Sequence, residues 1–453
     1  MDGSSVPGTT ELTRALAERA SAVTYEGLND DARLLARQCI LDYYACGLAG
    51  ADDPLVAILV AEMKEAGGTE AASLIGHKGR MPALSAALVN GAASHALDYD
   101  DVNLAMPGHP SVAILPGLIA LAEERGATGR DLIAAFIAGY ETACRTGMAM
   151  RPGHYGRGFH ATGTVGAFGG AAACARLLGL DAEATGRALG IAGTQAAGLK
   201  SQFGTMCKPF HAGKASQNGL LAARLAARGF SSRPDLIECD QGFAKTHGPV
   251  LNPEAALAEP PAGLYVYANL FKYHAACYMT HGPIECAIQV REQQVRPDDI
   301  AALTLSVNKG SSRICNIQSP GDGLESKFSL RQTVAMALSG VDTASLGAYS
   351  VATATDPALV KLRERLQLDF QDDLAEAGAE LSVTLSDGRT IRTTHDAGVA
   401  MTDFAAQGVR LAAKFDALVE PVLGSARARE LRAAIEGLDG LADTGALARL
   451  AAD

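Results

Sequence analysis

Apolar positions recur at helical spacing over most of the chain. A first helix is predicted from Thr10-Glu11-Leu12-Thr13 to about Ala22, after a disordered polar lead over 1–10. Asn29-Asp30-Asp31 reads as a cap for a helix over 32–49. Its run LLARQCILDYYACGLAG is apolar on nearly every face, which places it deep in a core. Further helices are predicted over 54–65, 80–96, 114–125, 129–150, 181–195 and 215–228, and from Thr162 onward. Several are built of Gly, Ala and Val, side chains small enough for close helix–helix approach. A short extended piece is predicted over 71–74.

The pattern changes near residue 265. A short strand leads through a polar motif into a helix, and 300–307 alternates as a strand does. Helices follow over 327–339 and 356–366. The segments 379–385 and 389–394, joined by Ser386-Asp387-Gly388, read as a hairpin. The tail over 403–450 is helical again and is expected to pack on the first domain. The expected fold is therefore mainly α: a large all-helical domain over 8–265 with 399–453, and a smaller α+β domain over 266–398.

Composition supports this reading. A chain of 453 residues exceeds what one core usually supports, and 48% hydrophobic residues are enough for two. Trp is absent and aromatics are only 5%. The net charge of −11, with no Lys/Arg run, argues against a nucleic-acid partner. The nine cysteines are scattered without a CxxC pair, which fits reduced thiols and a cytoplasmic setting better than a disulfide framework or zinc ribbon. No basic-then-apolar leader and no run of eighteen apolar residues is present, so no membrane span is expected.

The unusual polar residues collect in four loop clusters between apolar helices: Asp98/Asp101/His109, His154/Arg157/His160, Lys208/His211/Lys214 and Lys272/His274/His281. Seven of the ten histidines lie in or beside them. The first sits in SHALDYDDVNLAMPGHPS, where Pro107-Gly108-His109-Pro110 breaks a helix. Taken singly, each cluster reads as well as a helix cap, a turn or a solvated charge. Together, convergent His, Asp and Lys suit acid–base chemistry on a carboxylate substrate. His95, Asp98, Asp101 and His109 match no standard metal spacing. Gly213-Lys214-Ala215 lacks the rest of a phosphate loop, and Gly163, Gly166, Gly169 and Gly170 follow no predicted strand, so they read as helix packing.

From about residue 10 to 450 the chain resembles the MmgE/PrpD family, which includes 2-methylcitrate dehydratase, cis-aconitate decarboxylase and iminodisuccinate epimerase. The resemblance rests on Ala96-Leu97-Asp98-Tyr99-Asp100-Asp101 with Gly108-His109-Pro110-Ser111, on Gly158-Phe159-His160-Ala161-Thr162, and on the segment from Phe203-Gly204-Thr205-Met206 through Cys207-Lys208-Pro209-Phe210-His211-Ala212-Gly213. Weaker support comes from Phe271-Lys272-Tyr273 and Glu325-Ser326-Lys327-Phe328-Ser329-Leu330. It implies a helical domain and a chorismate-mutase-like α+β domain with the active site in the cleft between them, a homodimer, no cofactor and a small anionic carboxylate substrate. The family's functional positions fall on Asp98, His109 and His160 as catalytic groups and on Lys208 and Lys272 as substrate-binding lysines. Ser111, His211 and His274 join them as candidate substrate contacts.

In this expectation Asp98 orients or tunes a histidine, His109 or His160 moves the proton, and Asp100 and Asp101 are structural. Two positions depart from the pattern: Val102 stands where a Thr is usual, and Cys277 where a His is usual. The expected reaction is dehydration of a 2-methylcitrate-like acid. The alternatives are, in order, epimerisation of an iminodisuccinate-like acid, decarboxylation of a cis-aconitate-like acid, and non-catalytic binding of a small acid.

Overall fold

The computed structural model describes residues 11–452. The polar lead and the Thr10 start of the first helix lie outside them. The described chain divides into two compact units: residues up to Phe271 with those from Thr402 onward, and Lys272–Met401.

The first unit is built of helices. Asp30–Ala49 starts where the Asn29 side chain accepts from the Ala32 amide at 2.9 Å, with Asp30 and Asp31 placed favourably at the positive end of the helix dipole. Most of its side chains are buried, as its all-round apolar sequence requires. Pro110–Arg125, Gly129–Ala149, Ala161–Leu177 and Cys207–Ala227 complete the core. Ala83–His95 crosses Cys207–Ala227 so closely that a Cβ on Gly213 would lie 2.1 Å from the Leu88 carbonyl oxygen. The helix expected from residue 80 begins instead at Ala83, because Arg80–Met81 pairs as a short strand with Ala72–Ser73 and Pro82 follows. The tail helix Phe404–Leu423 returns to this unit, where Gln38 donates to the Phe404 carbonyl at 2.8 Å and Gln407 to Gln38 at 2.7 Å. Among the described residues no single helix is long and apolar enough to cross a membrane.

The second unit is α+β. Its four-stranded sheet has the order Leu366–Gln371, Ile300–Asn308, Gly378–Leu385, Thr390–Asp396. The first pair is parallel and the others antiparallel. Leu303, Leu305 and Val307 are buried alternately, as are Leu381, Val383 and Leu385. Thr393 donates to the carbonyl of Cys286 at 3.0 Å, tying the last strand to the helix His281–Glu292. The hairpin turns at Gly388, whose φ of 88° a side chain would resist. Two expectations fail. The segment near residue 265 is a single 3₁₀ turn, Tyr265–Ala268. The helix over 356–366 stops at Arg363, and Leu366–Gln371 is an edge strand.

Candidate functional site

The site in the first unit starts where Ala83–His95 ends. Asp98 takes a left-handed conformation, φ 51°, which Asp tolerates better than most side chains. Beyond it the loop closes on itself through backbone bonds between Asn103 and Gly108 and returns at His109, the N-cap residue of Pro110–Arg125. The His109 amide donates to Thr162 Oγ1 at 3.0 Å. A Cβ on Gly108 would lie 2.9 Å from that same hydroxyl, so the GHP turn seats against Ala161–Leu177 only with glycine.

This geometry sets the His109 ring between two carboxylates. Asp100 Oδ2 lies 2.8 Å from its Nδ1 and Asp98 Oδ1 lies 3.5 Å from its Nε2. The Nδ1–Asp100 contact is close but not an aligned hydrogen bond, a looseness common before substrate is bound. Asp100 also accepts from His95 Nδ1 at 2.9 Å. Lys208, in the first turn of Cys207–Ala227, reaches Asp98 Oδ1 at 2.7 Å. Asp98, with a side chain 42% exposed, is the outward end of the cluster, whereas Asp100 is fully buried.

Burial alone would raise the Asp100 carboxyl, but the imidazoles of His109 and His95 outweigh it and hold it well below the usual carboxylate range. Burial pushes His95 down to about 4, against the pull of Asp100, so at neutral pH it is a neutral donor to an ionised Asp100. Burial, then the nearby His95, His109 and Lys208, also push His160 far down. Asp101 goes the other way: burial and the Asp42 charge raise it to about 8 despite the hydrogen bonds from Ser111.

The sequence-predicted residues divide accordingly. Asp98, His109 and Lys208 meet directly. His160 stacks on His95 with ring centroids 5.9 Å apart and places its Nδ1 3.1 Å from Nδ1 of His211, so one of these rings donates and the other accepts. Ser111 takes a different part from the one expected. It is buried and donates its hydroxyl to Asp101 at 2.6 Å, which secures the loop.

In the second unit Lys272 is 2% exposed. His274 is likewise committed: its Nε2 lies 3.1 Å from a Glu285 carboxylate oxygen and its Nδ1 2.8 Å from the Thr343 hydroxyl. With both nitrogens engaged, His274 is held by its own unit and does not present a free nitrogen to a substrate. Cys277 is half-buried and hydrogen-bonded with the buried Cys315.

Two members of the cluster take parts that the sequence did not point to. The orienting role is expected at Asp98 and a structural one at Asp100, and His95 enters the sequence analysis only as a metal-ligand candidate. Asp100 is the carboxylate at His109 Nδ1, and His95 lies on its other oxygen. The one available signal was the pattern of the loop, where the apolar Tyr99 marks a segment turning inward. His95, Asp98, Asp100 and His109 each offer a ligand atom, all within 4.8 Å of one another, and so could hold a metal ion. The Lys208 ammonium already supplies positive charge on Asp98.

The MmgE/PrpD N-terminal domain model matches residues 14–254 and the MmgE/PrpD C-terminal domain model matches residues 274–440. The chain is 34% identical over 292 residues to a cis-aconitate decarboxylase of Aspergillus terreus, covering 60% of this chain and 59% of that protein. It is 28% identical over 404 residues to the cis-aconitate decarboxylase of Homo sapiens, covering 85% and 83%. The corresponding protein of Mus musculus is 27% identical over 386 residues, covering 82% and 79%.

Proposed function

The chain belongs to the MmgE/PrpD family, and on that premise we propose that it is a lyase that moves a proton next to a carboxylate of a small di- or tricarboxylate. Decarboxylation of a cis-aconitate-like acid is the first reading, because relatives that span most of the chain carry that activity in their names. It moves ahead of dehydration and epimerisation. The single observation that carries the reading is the placement of His109, with buried Asp100 at Nδ1 and the Asp98–Lys208 pair at Nε2.

This arrangement performs the chemistry in steps. Lys208 gives one donor to Asp98 and has others for a substrate carboxylate. Its charge steadies the electron pair left on carbon when carbon dioxide departs. His109 in its protonated form delivers a proton from Nε2 to that carbon, and ionised Asp100 stabilises the imidazolium from behind. For dehydration the same ring starts neutral and takes the α-proton, after which hydroxide leaves. The two readings therefore use opposite protonation states of one residue.

Turnover of cis-aconitate, a 2-methylcitrate-like hydroxy acid and an iminodisuccinate-like acid in D₂O separates them. Carbon dioxide release with deuterium entering the product is expected from cis-aconitate. Alkene formation from the hydroxy acid alone would promote dehydration. No exchange with any of the three would leave the small-acid binding protein as the better description.

A further inference from the structure

We propose that Lys414, on the tail helix Phe404–Leu423, is a positioning residue for the proton-transfer group. By fixing the peptide between Asp98 and Asp100, it aims both carboxylates at the His109 ring. The proposal rests on the reading of His109 given above.

Lys414 is 3% exposed, although its helix lies more than 300 residues beyond the loop in sequence. Its ammonium donates to Asp42 Oδ1 at 2.6 Å and to the Tyr99 carbonyl at 2.7 Å, and it lies 4.0 Å from the centroid of the Tyr99 ring. The carbonyl it holds is that of the one residue between the two carboxylates. Asp98 before it is left-handed, with φ 51°. Lys414 thus grips Tyr99 by both backbone and ring, and the chain leaves that point with Asp98 toward Lys208 and Asp100 toward His95 and His109.

Stability alone does not call for this arrangement. Both Lys414 and Asp42 are buried, and Asp42 Oδ2 has no hydrogen-bond partner. A buried ion pair of this kind is often replaced by apolar side chains of similar volume without loss of stability. Such a replacement would supply no donor to the Tyr99 carbonyl. The particular contribution of Lys414 is therefore the orientation of that peptide. A displacement of about 1 Å there is enough to cost on the order of 10²-fold in turnover.

The test compares the Lys414→Met/Asp42→Leu double variant, which removes both buried charges, with Asp42→Asn, which leaves the Tyr99 contact in place. The double variant should keep its folded near-ultraviolet circular dichroism and lose about 10- to 100-fold in kcat with KM within about threefold. The NMR titration of His109, which faces Asp98, Asp100, His95, Lys208 and His160, should move. Folded Asp42→Asn should stay within about threefold of native kcat. A folded double variant with native kcat and a native His109 titration overturns the proposal. If the double variant does not fold, Lys414→Gln is put through the same measurements and decided by the same outcomes. The titration needs no substrate. If the native protein turns over no acid, the proposed function fails alone, and the titration still decides the role of Lys414.

Discussion

Each unit holds a buried pair of imidazoles, His95 with His109 in the first and His274 with His281 in the second, at ring separations of 4.5 and 5.1 Å. The sequences around them look equally suited to catalysis. The difference lies in what surrounds each ring. In the first pair a fully buried carboxylate, Asp100, serves both rings, and the far nitrogen of His109 faces a partly exposed Asp98 and Lys208. In the second, His274 is closed off between Thr343 and Glu285. Burial, then His274 and Lys272, drive His281 well below the usual imidazole range, and its Nε2 lies 3.4 Å from the Ala276 carbonyl. Histidine content marks where polar groups are buried. An imidazole with a buried carboxylate close to one nitrogen and a partly exposed Asp–Lys pair at the other marks where a proton can be exchanged.

The contrast is broken most directly at its strong end. His109→Ala should lower kcat by about 10³-fold or more with the fold intact, whereas His274→Ala should lower unfolding stability by about 2–3 kcal/mol and change turnover of the folded protein less than tenfold. Steady-state kinetics beside thermal melts decide it, and equal kinetic losses would erase the distinction. Next, Asp100→Asn should cost about 10²-fold in kcat, because a neutral amide stabilises the imidazolium poorly. Asp98→Asn should cost less in kcat and more in KM, since Asp98 shares its position with Lys208 at the exposed end. A larger kcat loss at Asp98 would return the orienting role to that residue.

The smallest effect concerns Asp101, buried beside the site and raised to about 8. The unfolded chain releases this proton near the ordinary carboxylate pKa, while the folded protein keeps it. Over that interval the folded state binds more protons, so stability falls as pH rises. Between pH 6 and 8 this group should remove about 2–3 kcal/mol, and Asp101→Asn should flatten that slope in urea melts across the range. An unchanged slope would mean Asp101 is ionised in the folded protein.

Much of this was legible in the chain. Local patterning and caps located the helical body, the alternating strand at Ile300–Asn308 and the Gly388 hairpin, because helix periodicity, strand alternation and turn chemistry are properties of neighbouring residues. The edge strand Leu366–Gln371 was missed although Leu366, Leu368 and Phe370 alternate. An edge strand with one neighbour buries few side chains, and a short apolar pattern after a helix reads as its continuation.

The sequence by itself determined which chemistry-bearing groups are present, and its family resemblance pointed to Asp98, His109, His160, Lys208 and Lys272 as functional positions. Only the tertiary structure decided their parts. Asp100 rather than Asp98 backs the His109 ring, Ser111 and His274 are held by their own surroundings, and a lysine from the far end of the chain sets the peptide between the two carboxylates. Those assignments depend on which side chains are withdrawn from water and which atoms face one another across the fold. Contacts between residues distant in sequence fix both, and no local pattern encodes them.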